Sequence, residues 1–309
     1  MLTLFINERG RLRSGWRAVI FLFTFLFLSF ILILGAMGGT SLLVNGGSAT
    51  GYLPLILPFA ISAAIALLLG WLFGKIFEGL PYRALGLALT GSSLKNLLVG
   101  CGVGSVALVS AIIVAVMSGA MSITVNRSSS TSAITSTLLT TLLIFAVGAL
   151  SEETLFRGYL LQTFSRAKLI WLGGAFTSLL FAFAHNNNPD VSNLSWLNTL
   201  IAGIWLAVAY YKTRDLWFPL GIHLMWNWLQ GPIFGINVSG IAEFSPDPLL
   251  RATDSGPAWL TGGSYGIEGG LACTFALVVS IGIIHYLPGL KPTEEMLEMT
   301  STEKPATTK

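Results

Sequence analysis

The sequence predicts an all-α fold, a polytopic membrane helix bundle with about eight transmembrane helices. Hydrophobic residues make up 53% of the chain and charged residues only 10%, whereas a water-soluble domain usually carries about a quarter charged residues. Apolar runs of roughly 20 residues recur along the chain, and a helix of about this length crosses the ~30 Å hydrocarbon core of a bilayer. A chain with so little charge cannot cover a soluble surface of its size.

Eight apolar segments separated by polar breaks predict the individual membrane helices. In chain order they span residues 17–38, 52–77, 96–120, 134–163, 169–186, 195–211, 216–231 and 267–288. Pro219 lies in the first turn of the seventh segment, where a helix tolerates proline. We therefore interpret residues 17–288 as one transmembrane bundle. It is preceded by a cytoplasmic or interfacial segment, 1–16, and followed by a polar tail, 289–309, whose composition predicts disorder in the cytoplasm.

Lysine and arginine are distributed unevenly between the two sides of this bundle. Fourteen of the 17 fall in the tails and loops assigned to one side, the other side holds Arg127 and Arg251, and Arg157 lies within a span. Because cytoplasmic loops carry the excess of Lys and Arg in membrane proteins, the pattern predicts a multi-pass integral membrane protein with both termini in the cytoplasm. The expected surroundings are membrane lipid, and no nucleic-acid partner is predicted.

The fourth predicted span contains three charged residues, Glu152, Glu153 and Arg157. Ionisable residues within a bilayer are costly and usually functional. Glu153 and Arg157 are four residues apart, in the favourable order for an ion pair on one helical face, whereas Glu152 is turned by about 100° from Glu153. The arginine can therefore neutralise one carboxylate and leave Glu152 available as a general base. The alternative is a compact, mutually neutralising cluster without a chemical role.

Two other predicted spans carry polar residues at helical spacing. Phe181 and His185 are four residues apart at the end of the fifth span, and His223 and Asn227 are four apart in the seventh. Each pair alone is compatible with a simple hydrogen bond between helices. Together with Glu152, however, they can meet in a hydrated pocket inside a helix bundle. The combination of one carboxylate, two imidazoles and one amide favours hydrolysis.

Two hydrolytic schemes fit these residues. In the first, Glu152 takes a proton from water, a histidine orients that water, and His223 with Asn227 donates hydrogen bonds to the oxyanion. In the second, His185 and His223 bind a catalytic zinc ion together with Glu152 or Glu153, which is a common ligand set of zinc hydrolases. The chain lacks the H-E-x-x-H spacing, so the zinc ligands would come from different helices. Spacing leaves both schemes open.

The three motifs resemble, in the same order, those of the CPBP family of intramembrane proteases. This family includes the type II CAAX prenyl endopeptidases and the bacterial Abi proteins. The stretch "EETLFR" corresponds to the family pattern EExxxR, "FAFAH" to FxxxH and "HLMWN" to HxxxN. The matching region runs from about residue 134 to 231, roughly a third of the chain.

The resemblance implies an eight-helix bundle with a peptide-hydrolysing site inside the membrane. Carried over to this chain, Glu152 activates water beside His185, and His223 with Asn227 forms the oxyanion site. The supporting residues are Glu153, Arg157 and Phe181. Both zinc-dependent and metal-free glutamate mechanisms are proposed for the family, so zinc stays open as a cofactor. The substrate implied is a peptide or protein that is prenylated or associated with the membrane.

Two functions of other classes also stay open on the sequence. One is a non-catalytic membrane scaffold or bacteriocin-immunity protein of the same fold. The presence of every motif residue disfavours this alternative. The other is a proton-coupled transporter, in which buried Glu, His and Arg side chains relay protons. The absence of a recognisable internal repeat with matching broken helices disfavours the transporter.

Overall fold

The computed structural model describes residues 4–43 and 52–303, and this part of the chain is a helical bundle. Its helices are α1 (Ser14–Leu43), α2 (Leu53–Glu78), α3 (Ser93–Met117), α4 (Thr131–Glu153), α5 (Leu161–Arg166), α6 (Ile170–Ala184), α7 (Asn193–Thr213), α8 (Trp217–Trp228), α9 (Ala258–Thr261), α10 (Leu271–Tyr286) and α11 (Glu294–Ser301). Two short strands, β1 (Met121–Val125) and β2 (Leu250–Asp254), pair antiparallel with Met121 opposite Asp254. The predicted all-α polytopic bundle is confirmed, with this small ribbon added to it.

Each of the eight predicted apolar segments contains a helix, but the helices differ in their ability to cross a bilayer. Within the described ranges, five segments have the necessary length and hydropathy: Ser14–Thr40, Leu53–Glu78, Ser93–Met117, Thr131–Arg166 and Asn193–Thr213. Helices α6 and α10 are apolar but have only 15 and 16 residues. At ~1.5 Å per residue they are shorter than the ~30 Å core. The protein is an integral membrane protein, but the predicted count of eight crossings is not confirmed.

A buried ionic network joins the two ends of the chain. Glu78, at the end of α2, contacts Arg17 of α1 at 2.7 Å and Arg166 of α5 at 2.6 Å. Arg17 also contacts Glu303, beyond α11, at 2.7 Å. The first and last described segments therefore lie at the same end of the bundle, as an even number of alternating segments requires. That this end faces the cytoplasm stays a prediction from the distribution of Lys and Arg.

The C-terminal segment contains a docked helix, where the polar composition of residues 289–309 predicts disorder. The Thr293 hydroxyl accepts a hydrogen bond from the Met296 backbone N–H at 3.2 Å and caps α11. Met296 and Met299, three residues apart on one helical face, are buried against Leu80. Mean composition does not register two methionines at helical spacing, which give this helix one apolar face. Residues 304–309 of the predicted tail lie outside the described residues.

Helix α8 is held against α3 by a close approach of the two backbones. A Cβ atom added at Gly100 or Gly104 of α3 would overlap the carbonyl oxygens of Phe218 or Ile222, and one added at Gly221 of α8 would overlap the α3 backbone. Small residues spaced four apart allow such contacts between membrane helices. Gly100 and Gly104 thus set the position of the helix that carries His223 and Asn227.

We expect the substitution Gly104→Val to lower the melting temperature of the protein in detergent. Overpacking of a close contact typically costs about 1–3 kcal/mol of stability, and here it also displaces α8. Gly102→Val is the matched control, since a Cβ at Gly102 meets no atom within 4 Å. Equal melting temperatures of the two variants would show that the α3–α8 contact is not tightly packed.

Candidate active site

The site is built where α4 changes its helical geometry. Residues Thr154–Leu160 form a π-helical turn between α4 and α5, and Gly158 within it has a non-helical backbone (φ −71°, ψ −128°). The sequence predicts one continuous helix over 134–163. Glycine permits the kink, and single π-helical turns inside α-helices are frequent at functional sites. The kink separates the end of α4, which carries both glutamates, from the helical segment that follows.

Glu153 is fully buried and accepts two hydrogen bonds through the same oxygen. Its Oε1 atom accepts from Arg157 Nη1 at 3.0 Å and lies 2.8 Å from His223 Nδ1 of α8. Arg157, which is also fully buried, donates from Nη2 to the backbone carbonyl of Gly203 in α7 at 3.0 Å. Its guanidinium lies over the Phe181 ring of α6, 4.7 Å from the ring centroid. The ion pair that the spacing predicts is present, and it connects four helices.

Glu152 is directed away from Arg157, to the other nitrogen of the same imidazole. Its Oε2 atom lies 3.8 Å from His223 Nε2, and the Glu152 side chain is 22% exposed. This oxygen is buried and has no hydrogen-bond partner among the described residues. The two glutamates therefore flank His223, one binding Nδ1 and the other facing Nε2. Sequence spacing alone gave no sign that Glu153 orients the histidine.

His185 caps the C-terminal end of α6 and lines the same cavity as His223. Its Nδ1 atom lies 2.8 Å from the backbone carbonyl oxygen of Phe181, so Nδ1 is the protonated nitrogen and Nε2 is available in the neutral ring. The Phe181 ring lies 4.6 Å from the His185 ring and 6.0 Å from the His223 ring, centroid to centroid. Phe181 is therefore the apolar spacer between the two imidazoles.

A cavity of about 350 Å³ brings together the four residues predicted to be catalytic. Glu152, His185, His223 and Asn227 all line it. Aromatic and aliphatic side chains from several helices form most of the remaining wall, as is usual for ligand sites. No Lys or Arg belongs to the lining of this cavity in the part of the chain that the structure describes.

Several polar residues that line the cavity escaped the sequence analysis, of which Glu268 is the most informative. It lies just before α10, and its Oε1 atom accepts a hydrogen bond from Trp226 Nε1 at 3.1 Å. Its Oε2 atom accepts from the Ser239 backbone N–H at 2.6 Å and from the Ser239 hydroxyl at 3.0 Å. Burial raises the pKa of the nearby Tyr265 hydroxyl to about 12, and the Glu268 carboxylate adds to the increase. Glu268 falls inside the predicted span 267–288, so a search for acids within spans could have found it.

The arrangement does not fit the predicted zinc site. Among the residues with described positions, no group of three His, Cys, Asp or Glu side chains is arranged to hold a metal ion. Glu153 Oε1 is already bound to Arg157 and His223. A ligand set of His185, His223 and either Glu152 or Glu153 would require these side chains to be rearranged.

Comparisons with known proteins identify the same region of the chain. Residues 133–229 match the family described as type II CAAX prenyl endopeptidase Rce1-like, which confirms the resemblance inferred from the three motifs. The chain is also 36% identical over 94 residues to an uncharacterized 24.3 kDa protein of Escherichia coli. This match covers 30% of the present chain and 42% of the relative. The matched region of the chain thus covers less than half the length of that relative.

Proposed function

We propose, from the premise that residues 133–229 belong to the Rce1-like family of type II CAAX prenyl endopeptidases, that this protein is an intramembrane endopeptidase. It hydrolyses a peptide bond in a peptide or protein that is prenylated or associated with the membrane. The supporting observation is that Glu152, whose side chain is 22% exposed, lines the cavity that the two histidines and Asn227 also line. A carboxylate, two imidazoles and an amide around one cavity can bind a water molecule and a substrate carbonyl there.

In the proposed reaction Glu152 is the general base. The attacking water occupies the cavity beside Glu152 and His185, both of which line it. Glu152 removes one proton while the water oxygen bonds to the carbonyl carbon of the substrate. The resulting tetrahedral intermediate collapses when Glu152 returns the proton to the amide nitrogen and the C–N bond breaks. The products are a carboxylic acid and an amine; the remaining acid proton passes to the amine, so that they leave as carboxylate and ammonium. Glu152 is again a carboxylate.

His223 and Asn227 are the proposed donors to the oxyanion. In its imidazolium form His223 donates from Nδ1 to Glu153, and its Nε2–H is directed into the cavity, where Asn227 adds an amide N–H one helical turn away. Fixed donors aimed at a developing negative charge supply a large share of such rate enhancements. His185, through Nε2, helps to orient the attacking water.

Glu153 and Arg157 support the reaction without touching the substrate. Glu153 fixes the plane of the His223 ring through the 2.8 Å contact to Nδ1, the same task that a carboxylate performs for the histidine of a serine-protease triad. Arg157 balances the charge of Glu153 in the buried wall. Phe181 separates the two imidazoles and packs on the guanidinium.

The proposal is tested by reconstituting the purified full chain in lipid vesicles and offering it a library of membrane-anchored peptides. We expect hydrolysis at defined peptide bonds, identified by mass spectrometry of the products. Specific binding of peptides without any hydrolysis would instead favour the non-catalytic scaffold.

The same assay addresses the metal. We expect hydrolysis to persist after treatment with a chelator, because the described side chains do not form a three-ligand site. A zinc peptidase treated in parallel shows that the chelator is effective. Loss of activity that one equivalent of zinc restores, with zinc bound at one ion per chain, would overturn this expectation.

A further inference from the structure

We propose that Glu268 is a specificity-determining residue, which selects substrates that carry a cationic group close to the bond that is cleaved. The cationic group is a Lys or Arg side chain or a free amine. This inference rests on the proposed function and adds a substrate preference to it. Its basis is the position of Glu268 in the cavity, the neutrality of its partners and the charge of the cavity wall.

The position of Glu268 follows from its bond to α8. The carboxylate accepts from Trp226 Nε1 at 3.1 Å, and Trp226 follows His223 by three residues in the same helix. At ~1.5 Å rise per residue, the two residues are separated by about 4.5 Å along the helix axis. An extended peptide advances ~3.3 Å per residue. Because His223 and Glu268 line the same cavity, we expect a substrate whose scissile carbonyl lies at His223 to place a residue close to the cleaved bond at Glu268.

The partners of Glu268 leave its charge uncompensated. All three hydrogen bonds to the carboxylate come from neutral donors, the Trp226 indole and the backbone N–H and hydroxyl of Ser239. An ionised carboxylate can accept about four hydrogen bonds, so capacity remains for one more donor. Hydrogen bonds between charged groups are the strong ones, which favours an ammonium or guanidinium over a neutral donor.

The cavity wall as a whole is also suited to a cation. Glu152 supplies a second carboxylate, and no Lys or Arg lines the cavity in the described ranges 4–43 and 52–303. Arg157, the nearest buried cation in the site, is bound to Glu153. The two histidines are the remaining basic groups of the lining, and His223 faces both glutamates of α4. A substrate carboxylate at Glu268 would thus be repelled by the Glu268 carboxylate, and no Lys or Arg side chain of the lining would offset this repulsion.

A purely structural role of Glu268 makes a different prediction. By binding both Trp226 and Ser239, the carboxylate fastens the loop after α8 onto that helix. If this were its whole role, substitution would lower stability and the cleavage of all peptides alike. If Glu268 served only to hold the loop against α8, its substitution would not change the preference between cationic and anionic peptides.

The test compares peptides that are identical except for one residue, Lys, norleucine or Glu, placed one or two positions from the cleaved bond. For the parent we expect kcat/KM to be at least about tenfold higher with Lys than with Glu, the lower range for a charge-assisted hydrogen bond. Glu268→Gln should reduce this ratio towards one, and Glu268→Lys should reverse it. Ser239→Ala is the matched control, since it removes one hydrogen bond to the carboxylate and leaves the charge, and it should keep the preference.

Each outcome has a distinct meaning. Cleavage by the parent without a charge preference, or a preference that Glu268→Gln retains, overturns the inference and leaves the proposed function intact. Absence of any cleavage contradicts the proposed function, and in that case the binding of the same fluorescent peptides to the parent and to Glu268→Gln still tests the charge preference. Melting temperatures identify a variant that fails to fold, and Glu268→Gln then replaces Glu268→Lys in the comparison.

Discussion

Replacement of Glu152 by glutamine is expected to reduce kcat/KM at least ~100-fold, the lower end for loss of a general base. Glutamine has nearly the same shape as glutamate and keeps one of the two side-chain oxygens as an amide carbonyl. The amide cannot accept the proton of the attacking water. Because Glu152 has no ion-pair partner other than the facing imidazole at 3.8 Å in the described structure, the melting temperature should change little. Initial rates with a cleavable peptide, measured beside the melting temperature, separate the two effects.

Glu243→Gln is the control for this substitution, since Glu243 lies exposed in the loop after α8 and belongs to no part of the cavity lining. It should retain the activity of the parent. If Glu152→Gln also retained that activity, Glu152 could not be the base. The proton would then have to be taken by another group of the cavity, for which His185 Nε2 is the candidate.

The second large effect concerns stability. We expect Arg157→Met to reduce the free energy of unfolding by about 3–5 kcal/mol, the usual cost of removing one partner from a buried ion pair. Glu153 would stay buried with His223 as its one remaining hydrogen-bond partner among the described residues. Glu153 and Arg157 are both 0% exposed. The measurement is a denaturation curve in mixed micelles, with Arg127→Met as the control. Arg127 is exposed, and a surface substitution of this kind usually changes stability by less than about 0.5 kcal/mol.

A double variant distinguishes two causes of the lower stability of Arg157→Met: a buried Glu153 carboxylate without its arginine, and the loss of packing around Arg157. When Glu153→Gln is combined with Arg157→Met, no buried carboxylate is left alone, so part of the lost stability should return. The activity should stay low, since the carboxylate that orients His223 is gone. If the two substitutions were simply additive in stability, the pair would not act as a buried electrostatic unit.

The parts of this site that the sequence predicted are those governed by spacing within one helix. Four residues separate Glu153 from Arg157, and the ion pair is present at 3.0 Å. The same spacing puts His223 and Asn227 on one wall of the cavity. The all-α membrane bundle followed from composition and apolar runs, since a helix is the simplest way to satisfy a backbone inside lipid.

Features that depend on contacts between helices could not be predicted from residue spacing within one helix. The bond from His223 to Glu153 joins α8 to α4 and requires the depth of both helices, which periodicity does not give. The kink at Gly158 replaces a continuous predicted helix. The predicted eight crossings are not confirmed, because an apolar run predicts a helix but not its length, as α6 with 15 residues illustrates. The close packing of Gly104 on α8 has a recognisable signal in the spacing of Gly100 and Gly104.

A single turnover in ¹⁸O-labelled water decides whether Glu152 activates a water molecule or itself attacks the substrate. With enzyme in excess over peptide, we expect one ¹⁸O atom in the new carboxylate of the product and none in the Glu152 side chain. The Glu152→Gln protein, treated alike, should give almost no product. An unlabelled product carboxylate together with ¹⁸O in Glu152 would show that a covalent acyl intermediate forms on this side chain, and it would contradict the account.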